Sequence, residues 1–173
     1  MTFAIRRLQP GDDRSGFSSG NVELDRFFLR YAGQNQFRHH LGATYIAIDE
    51  QKAIFGFATV AASEMVATRL PEPDRKNLPS YPLPVLRLAR LAVDERAQGH
   101  GIGRLLLRTV FSLAHQIAAD IGCVGVVVDA KTEATEFYRK LGFIFLDADA
   151  GLLNDRPEPK PMFLKLSAIP KEA

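Results

Sequence analysis

The stretch Arg90-Leu-Ala-Val-Asp-Glu-Arg-Ala-Gln-Gly-His-Gly-Ile-Gly-Arg104 decides how this chain is read. It passes from an apolar run into a turn carrying Gly99, Gly101 and Gly103, and from there into apolar residues at helical spacing. Glycine has no Cβ, so positive φ is available at each of the three and the backbone can approach a ligand closely. A turn that feeds a helix also presents N–H groups with no partner inside the helix, where the helix dipole favours negative charge. Together these make a phosphate cradle, and Arg104 adds a cation beside it. A plain structural turn is the competing reading of the glycines alone. Two other phosphate loops are excluded. No Lys-Ser/Thr pair follows the glycines, and the spacing G-x-G-x-x-G would need its third glycine where Arg104 stands.

Upstream of the turn, a strand is expected from Val85 to Val93. Leu86 and Leu88 are even-numbered and Leu91 and Val93 odd, so a strict period of two cannot place all four on one face. A β-bulge near Ala89–Arg90 restores the register, and a strand buried on both faces is the alternative. Downstream, Ile102, Leu105, Leu106, Val110, Leu113 and Ile117 predict the buried stripe of a long helix. A β-branched strand follows at Val124–Asp129. A short helix over Glu133–Leu141 has Thr132 as its N-cap and Gly142 as its C′ residue. Strands at Phe143–Leu146 and Met162–Leu166 close the chain, separated by a loop with Pro157, Pro159 and Pro161.

Further back, residues 9–20 read as a loop. Leu24, Phe27, Phe28 and Tyr31 stand at i, i+3, i+4 and i+7 and predict one face of a helix, capped by Ser19 or Asn21. Strands follow at Ala43–Ile48 and Ile54–Val60, joined by the polar turn Asp49–Lys52. The five prolines between Pro71 and Pro84 predict a long loop, a kind of segment that tends to be functional. Strands first, then strand–helix–strand–helix–strand, make a three-layer α/β or α+β domain with a mixed sheet.

The chain has 173 residues, of which 46% are hydrophobic and 24% charged, enough for one domain over 1–173 with a real core. This excludes a disordered chain and a small disulfide scaffold. A net charge of +2 does not by itself indicate nucleic acid. Cys123 is the single cysteine, so there is no intrachain disulfide and no cysteine cage for zinc. His39, His40, His100 and His115 have no zinc-helix spacing; His115 reads as helix surface, His100 as a loop residue beside phosphate, and no metal is expected. Met1 to Leu8 lacks the pattern of a secretory signal, and Val124 to Val128 is too short to span a bilayer, so a cytoplasmic protein with no membrane contact is expected.

Gln98-x-x-Gly101-x-Gly103 resembles the acyl-CoA pyrophosphate loop of the GNAT N-acetyltransferase superfamily. Leu91-Ala-Val93 before it resembles the strand whose main chain pairs with the pantetheine arm, and a bulge there would let the strand splay to admit the arm. Ala134-Thr-Glu-Phe-Tyr-Arg-Lys-Leu-Gly-Phe143 resembles the second signature, a short helix with a Phe-Tyr and then a Gly-Phe pair. The resemblance covers Arg6 to Leu166 and implies a central mixed, mostly antiparallel sheet with a splayed strand, flanked by helices. It also implies acetyl-CoA as co-substrate, held by Leu91, Ala92, Val93, Gln98, Gly99, His100, Gly101, Ile102, Gly103 and Arg104.

Leu24 to Asn35, Pro84 to Asp94 and Val128 to Lys131 are similar to the GNAT toxins of bacterial toxin–antitoxin pairs. Those toxins acetylate the α-amine of aminoacyl-tRNA and are held by a small DNA-binding antitoxin, here expected to be of the ribbon-helix-helix kind. Dimers are common in that family. Their catalytic tyrosine aligns with Tyr138, a phenol able to protonate the departing CoA thiolate; the competing reading is a core tyrosine packed beside Phe137, but adjacent helical residues point about 100° apart, so Phe137 is expected to pack inward and Tyr138 to line the cleft. Asp129, Glu64 and Glu133 are the candidates for a base. An α-amine near pKa 7.7–8.0 needs little help to become neutral, whereas a lysine near 10.4 needs far more. A peptide N–H at Leu91 or Val93 is a candidate donor to the thioester oxygen. Arg38, Lys76, Arg87 and Arg90 are candidate contacts for the acceptor's phosphates, with solvated surface as the other reading. A small-molecule amine or a protein amine, without toxicity, is the alternative acceptor; a non-catalytic module is disfavoured by the intact loop and Tyr138.

Overall fold

A computed structural model describes residues 2–146 and 159–171. Its strands are β1 (Ala4–Arg7), β2 (Ala43–Ile48), β3 (Ile54–Met65), β4 (Leu83–Val93), β5 (Gly125–Ala130), β6 (Ile144–Phe145) and β7 (Lys160–Lys165). They form one seven-stranded sheet in the order β1-β2-β3-β4-β5-β7-β6. The pairs β1/β2, β2/β3, β5/β7 and β6/β7 are antiparallel. The helices are α1 (Val22–Arg26), α2 (Ala32–Phe37), α3 (Glu72–Arg75), α4 (Ile102–Asp120) and α5 (Thr135–Lys140). The chain divides into two compact units, Met1–Ala61 with Leu88–Val110, and Ala62–Arg87 with Phe111–Ala173.

The first unit is built on the cluster of Leu8, Phe27, Phe28, Ile46, Ile54, Phe57 and Ala92. Phe28 stacks on Phe57 with centroids 4.3 Å apart and ring planes 3° from parallel. Asn21 caps the first helix by accepting from the Leu24 N–H at 3.0 Å, one of the two caps expected. The helix then departs from the predicted pattern. Between α1 and α2 lies a π-turn, Phe27–Tyr31, in which the Ala32 N–H reaches back to the Phe27 carbonyl. The wider turn advances the inward face by one residue. Ala32 is buried, and Tyr31, expected on the buried face, is 44% exposed. β1 is a further difference. Its four residues end in two arginines and carry no usable apolar period, as suits a charged edge strand. β3 runs on past Val60 to Met65, and its pairing with β2 skips Phe55 between Ala47 and Ile48.

β4 runs without interruption, with Leu86, Leu88 and Ala92 buried and Leu91 and Val93 half-buried, so both phases carry apolar side chains. α4 starts at Ile102 as expected and buries Ile102, Leu106, Val110 and also Leu107.

The second unit packs Met65, Leu70, Val85, Val127, Leu146 and Phe163 together. The proline-rich stretch before β4 holds the one-turn helix α3. Thr132 opens a 3₁₀ turn rather than capping α5, whose N-cap is Ala134; the Thr132 carbonyl accepts from the Thr135 hydroxyl at 3.0 Å. His115, expected on the helix surface, is half-buried, with Nε2 2.9 Å from the Ile169 carbonyl. Most of the loop expected before the last strand, Pro157 included, lies outside the described residues.

Candidate active site

β4 ends at Val93, a 3₁₀ turn spans Glu95–Ala97, and α4 begins at Ile102. Asp94 organises this transition. It is 1% exposed. One carboxylate oxygen accepts from the Arg96 N–H at 3.0 Å and Arg96 Nε at 2.8 Å. The other accepts from the Ser18 N–H and from the Arg96 guanidinium, each at 3.0 Å. Burial opposes the charge on Asp94, yet the bonds from Arg96 and Ser18 outweigh it and hold the carboxyl below its ordinary range. Arg96 in turn lies over the Phe55 ring at 4.6 Å.

Gln98 closes the turn from the other side. Its side-chain amide donates to the carbonyls of Val93 and Ser19, each at 3.1 Å. The glutamine of the motif therefore ties the start of the glycine turn to the end of β4 and to the loop before α1. His100 Nδ1 lies 3.2 Å from the carbonyls of Ala97 and Gln98, so this histidine braces the turn from within.

Gly99 and Gly101 adopt φ of 82° and 79°, and a Cβ at either would meet nothing within 4 Å. Their backbone thus borders open space in a conformation that L side chains rarely adopt. Gly103 does not share it, because Gly103 already lies in the first turn of α4. The Leu105 N–H bonds to the Gly101 carbonyl at 3.1 Å, so the N–H groups of Ile102, Gly103 and Arg104 precede the helical ladder. A nineteen-residue helix with its dipole aimed at this turn suits a pyrophosphate. The residues present fit the phosphate end of a coenzyme A molecule.

Tyr138 occupies α5 in the second unit. It is buried at 5% exposure, whereas Phe137 is only half-buried, the reverse of the expected arrangement. The reason lies at the helix end. Gly142, with φ of 101°, donates to the Arg139 carbonyl at 2.9 Å, and Phe143 donates to the Tyr138 carbonyl at 3.1 Å. This is the Schellman pattern, which brings the residue after the glycine against the one five positions earlier. Phe143 therefore packs edge-on against Tyr138. Burial pushes the Tyr138 phenol up to about 12.

Arg87 and Asp129 form an ion pair, both partly exposed. Asp129, expected as a base, and Arg87, expected as a phosphate contact, are thus each other's charged partner. Glu64 and Glu133 are exposed. Arg38 is exposed just past α2, and Lys76 just past α3. Arg90 is half-buried, with its guanidinium carbon 3.7 Å from the Phe27 ring centroid. Asp94, Arg96 and Ser18, which support the turn, are not among the residues expected from the sequence. The Asp94-x-Arg96 spacing was the available signal, since a carboxylate there can cap the turn that follows it. Among the described residues no three His, Cys, Asp or Glu side chains gather as a metal site, and no helix is long and apolar enough to cross a membrane.

Residues 40–145 match the family described as "Acetyltransferase (GNAT) domain". Over 141 residues the chain is 34% identical to the "tRNA-acetylating toxin" of Mycobacterium tuberculosis (strain ATCC 25618 / H37Rv), covering 81% of this chain and 83% of that one. It is 26% identical over 131 residues to "Probable toxin TacT" of Sinorhizobium fredii (strain NBRC 101917 / NGR234), covering 73% and 72%. Among solved structures, the one described as "AtaT complexed with acetyl-methionyl-tRNAfMet" superposes with a TM-score of 0.85 at 24% identity, over 97% of each chain.

Proposed function

The chain belongs to the GNAT acetyltransferase family, and from that premise we propose that it moves the acetyl group of acetyl-CoA onto the α-amine of an aminoacyl-tRNA, blocking translation as a toxin. The observation that carries this reading is the 34% identity to a tRNA-acetylating toxin over most of both chains. The mildly basic balance, with a pI near 8.8, suits a nucleic-acid acceptor. Residues 1–173 act as one acetyltransferase domain, since β3 and β4 run through both compact units. A ribbon-helix-helix antitoxin and a second copy of the chain are its partners, and the cytoplasm, where charged tRNA resides, is its compartment.

Acetyl-CoA supplies the activated acetyl thioester. The turn from Gln98 to Arg104 holds the pyrophosphate through the Gly99 and Gly101 backbone and the first N–H groups of α4, with Arg104 as an exposed cation beside them. His100 and Ile102 keep that turn in shape, the first through its carbonyl contacts and the second by burial. The main chain of Leu91, Ala92 and Val93 runs beside the pantetheine arm, and a peptide N–H at Leu91 or Val93 polarises the carbonyl oxygen.

Overall, the amine nitrogen loses one proton and the sulfur gains one. Tyr138 is the donor at sulfur. With its phenol at about 12, it is fully protonated throughout the physiological range and so has a proton to give to the departing sulfur. Part of an α-amine is neutral at pH 7, so no base is needed to free its lone pair; the proton it sheds as the C–N bond forms and the C–S bond breaks passes to solvent water, and the tyrosinate left at Tyr138 takes one proton back from water. Arg38 and Lys76 contribute charge toward the acceptor's phosphates.

Incubation with labelled acetyl-CoA, a total charged-tRNA pool and a panel of small amines tests this. Label in the tRNA fraction, released by mild alkali as an N-acetyl amino acid, is the expected result. Label confined to the small amines would overturn the tRNA reading and leave the acetyltransferase standing.

A further inference from the structure

The π-turn in the first helix has a structural counterpart. Because the Ala32 N–H reaches to Phe27, the Phe28 carbonyl loses its usual helical donor. Arg14 replaces that donor with a guanidinium N–H at 2.7 Å. Arg14 also fills the space beside Gly33, where a Cβ would come within 3.0 Å of its terminal nitrogen. The wide turn is thus supported from outside the helix. Its effect is to bury two adjacent aromatic rings, Phe27 and Phe28. Phe28 stacks on Phe57. Phe27 supports the guanidinium of Arg90, 3.7 Å from its centroid.

Some arginines of this chain are neutralised by a described carboxylate and Arg90 is not. Arg6, Arg87, Arg96 and Arg139 each pair with a carboxylate. Among the described residues Arg90 has no such partner, and burial alone pulls its pKa down. A half-buried charge without a counter-charge is destabilising, and an apolar side chain on the ring would serve packing better. Stacking uses the flat face of a guanidinium and fixes its plane, while the N–H groups at its edge stay available. Those donors match two oxygens of one anion.

We propose that Arg90, laid flat on Phe27 by the π-turn, grips a phosphate of the acceptor and so selects amines carried on a nucleic acid. This rests on the tRNA reading and names the residue that enforces it. Arg90 is then a specificity-determining contact, separate from the phosphate cradle at Gln98–Arg104.

The test compares two acceptors bearing the same amino acid: the charged tRNA, and a phosphate-free aminoacyl ester of adenosine. Steady-state KM and kcat are measured for the wild type, Arg90→Met and Arg90→Lys, with acetyl-CoA affinity and the thermal midpoint as checks on folding. Methionine keeps an apolar stem on Phe27. In Arg90→Met, KM for charged tRNA should rise at least tenfold more than KM for the ester. The logarithmic salt dependence for charged tRNA should flatten by about one phosphate's worth, roughly 0.7–0.9. Arg90→Lys should keep the salt slope and still lose affinity, since an ammonium cannot make the paired contact. Equal losses on both acceptors, or an Arg90→Met enzyme within twofold of wild type on charged tRNA, would overturn the proposal. If Arg90→Met fails to fold, Arg90→Lys decides by the same comparison of acceptors. A wild-type enzyme that acetylates the ester and not the tRNA would remove the tRNA reading and this inference together. A wild-type enzyme active on tRNA beside an insensitive Arg90→Met removes this inference alone.

Discussion

Tyr138 and Phe143 are joined twice. Their rings meet edge-on with centroids 5.3 Å apart, and the Phe143 N–H bonds to the Tyr138 carbonyl at 3.1 Å. The Phe-Tyr and Gly-Phe pairs of the second signature are therefore one device. Gly142 takes the left-handed conformation that ends α5, the chain reverses, and Phe143 seals the tyrosine into the second unit. The same packing that orients the phenol also desolvates it.

Replacing Tyr138 by Phe keeps this aromatic contact and removes only the hydroxyl. Acetyl-CoA affinity should hold, and stability should shift by about 1 kcal/mol or less. Single-turnover acetyl transfer should fall by about 10²–10⁴. Expressed in cells at equal level, the wild type should stop growth and the variant should be tolerated. Transfer within about threefold of wild type would remove Tyr138 from the proton path.

The same residue predicts an alkaline signature. The folded-state pKa of about 12 lies above the ordinary phenol value of 10.0, so the native state holds this proton more tightly than the unfolded chain. Its contribution is complete below pH 10 and is lost as pH rises toward 12, by roughly 2–3 kcal/mol at 1.36 kcal/mol per pKa unit. Denaturant titrations between pH 9 and 12, at steps of about half a unit, should show wild type losing stability faster than Tyr138→Phe. Parallel curves would mean the phenol is not desolvated.

Gly101→Val tests the glycine turn. The added side chain faces open space, so no clash with protein is created; the cost is the strained positive φ, on the order of 1–2 kcal/mol. Affinity for acetyl-CoA should fall by about tenfold or more, on the order of 1.4 kcal/mol. Calorimetry on a folded variant with unchanged affinity would disprove the cradle.

Asp94→Asn should act at a distance from any ligand atom. The charged bonds to Arg96 and Ser18 weaken together, with a loss of about 1.5–3 kcal/mol in denaturant melts. Because the folded-state pKa is lowered, the wild-type advantage should be fully present above about pH 4, where an unfolded aspartate is ionised, and fade below it as pH falls through the lowered folded-state pKa. Acetyl-CoA binding should weaken as well, since the turn loses its anchor. A variant that melts like wild type at neutral pH would show that the pair is dispensable.

Local chemistry made much of this chain legible. Glycines at 99 and 101, the apolar stripe from Ile102 onward and Gly142 each announce a conformation through the residue itself or its near neighbours. The first helix shows where that stops. Leu24, Phe27, Phe28 and Tyr31 spell an α-helical face, and the spacing has no mark of an inserted residue. The π-turn exists because Arg14 supplies a donor and the pocket around Phe57 accepts two adjacent rings.

By itself the sequence determined the strand–turn–helix order from β4 to α5 and the glycine turn within it, because turns, caps and periodicities act over a few residues. Only the tertiary structure decided which charges are paired with an opposite charge and which are not. Arg87 meets Asp129 42 residues away, and Ser18 meets Asp94 across 76. Arg90 finds an aromatic ring instead of a carboxylate. Identical arginines in one strand thus acquire different chemistry, since desolvation and pairing depend on what the fold brings beside them.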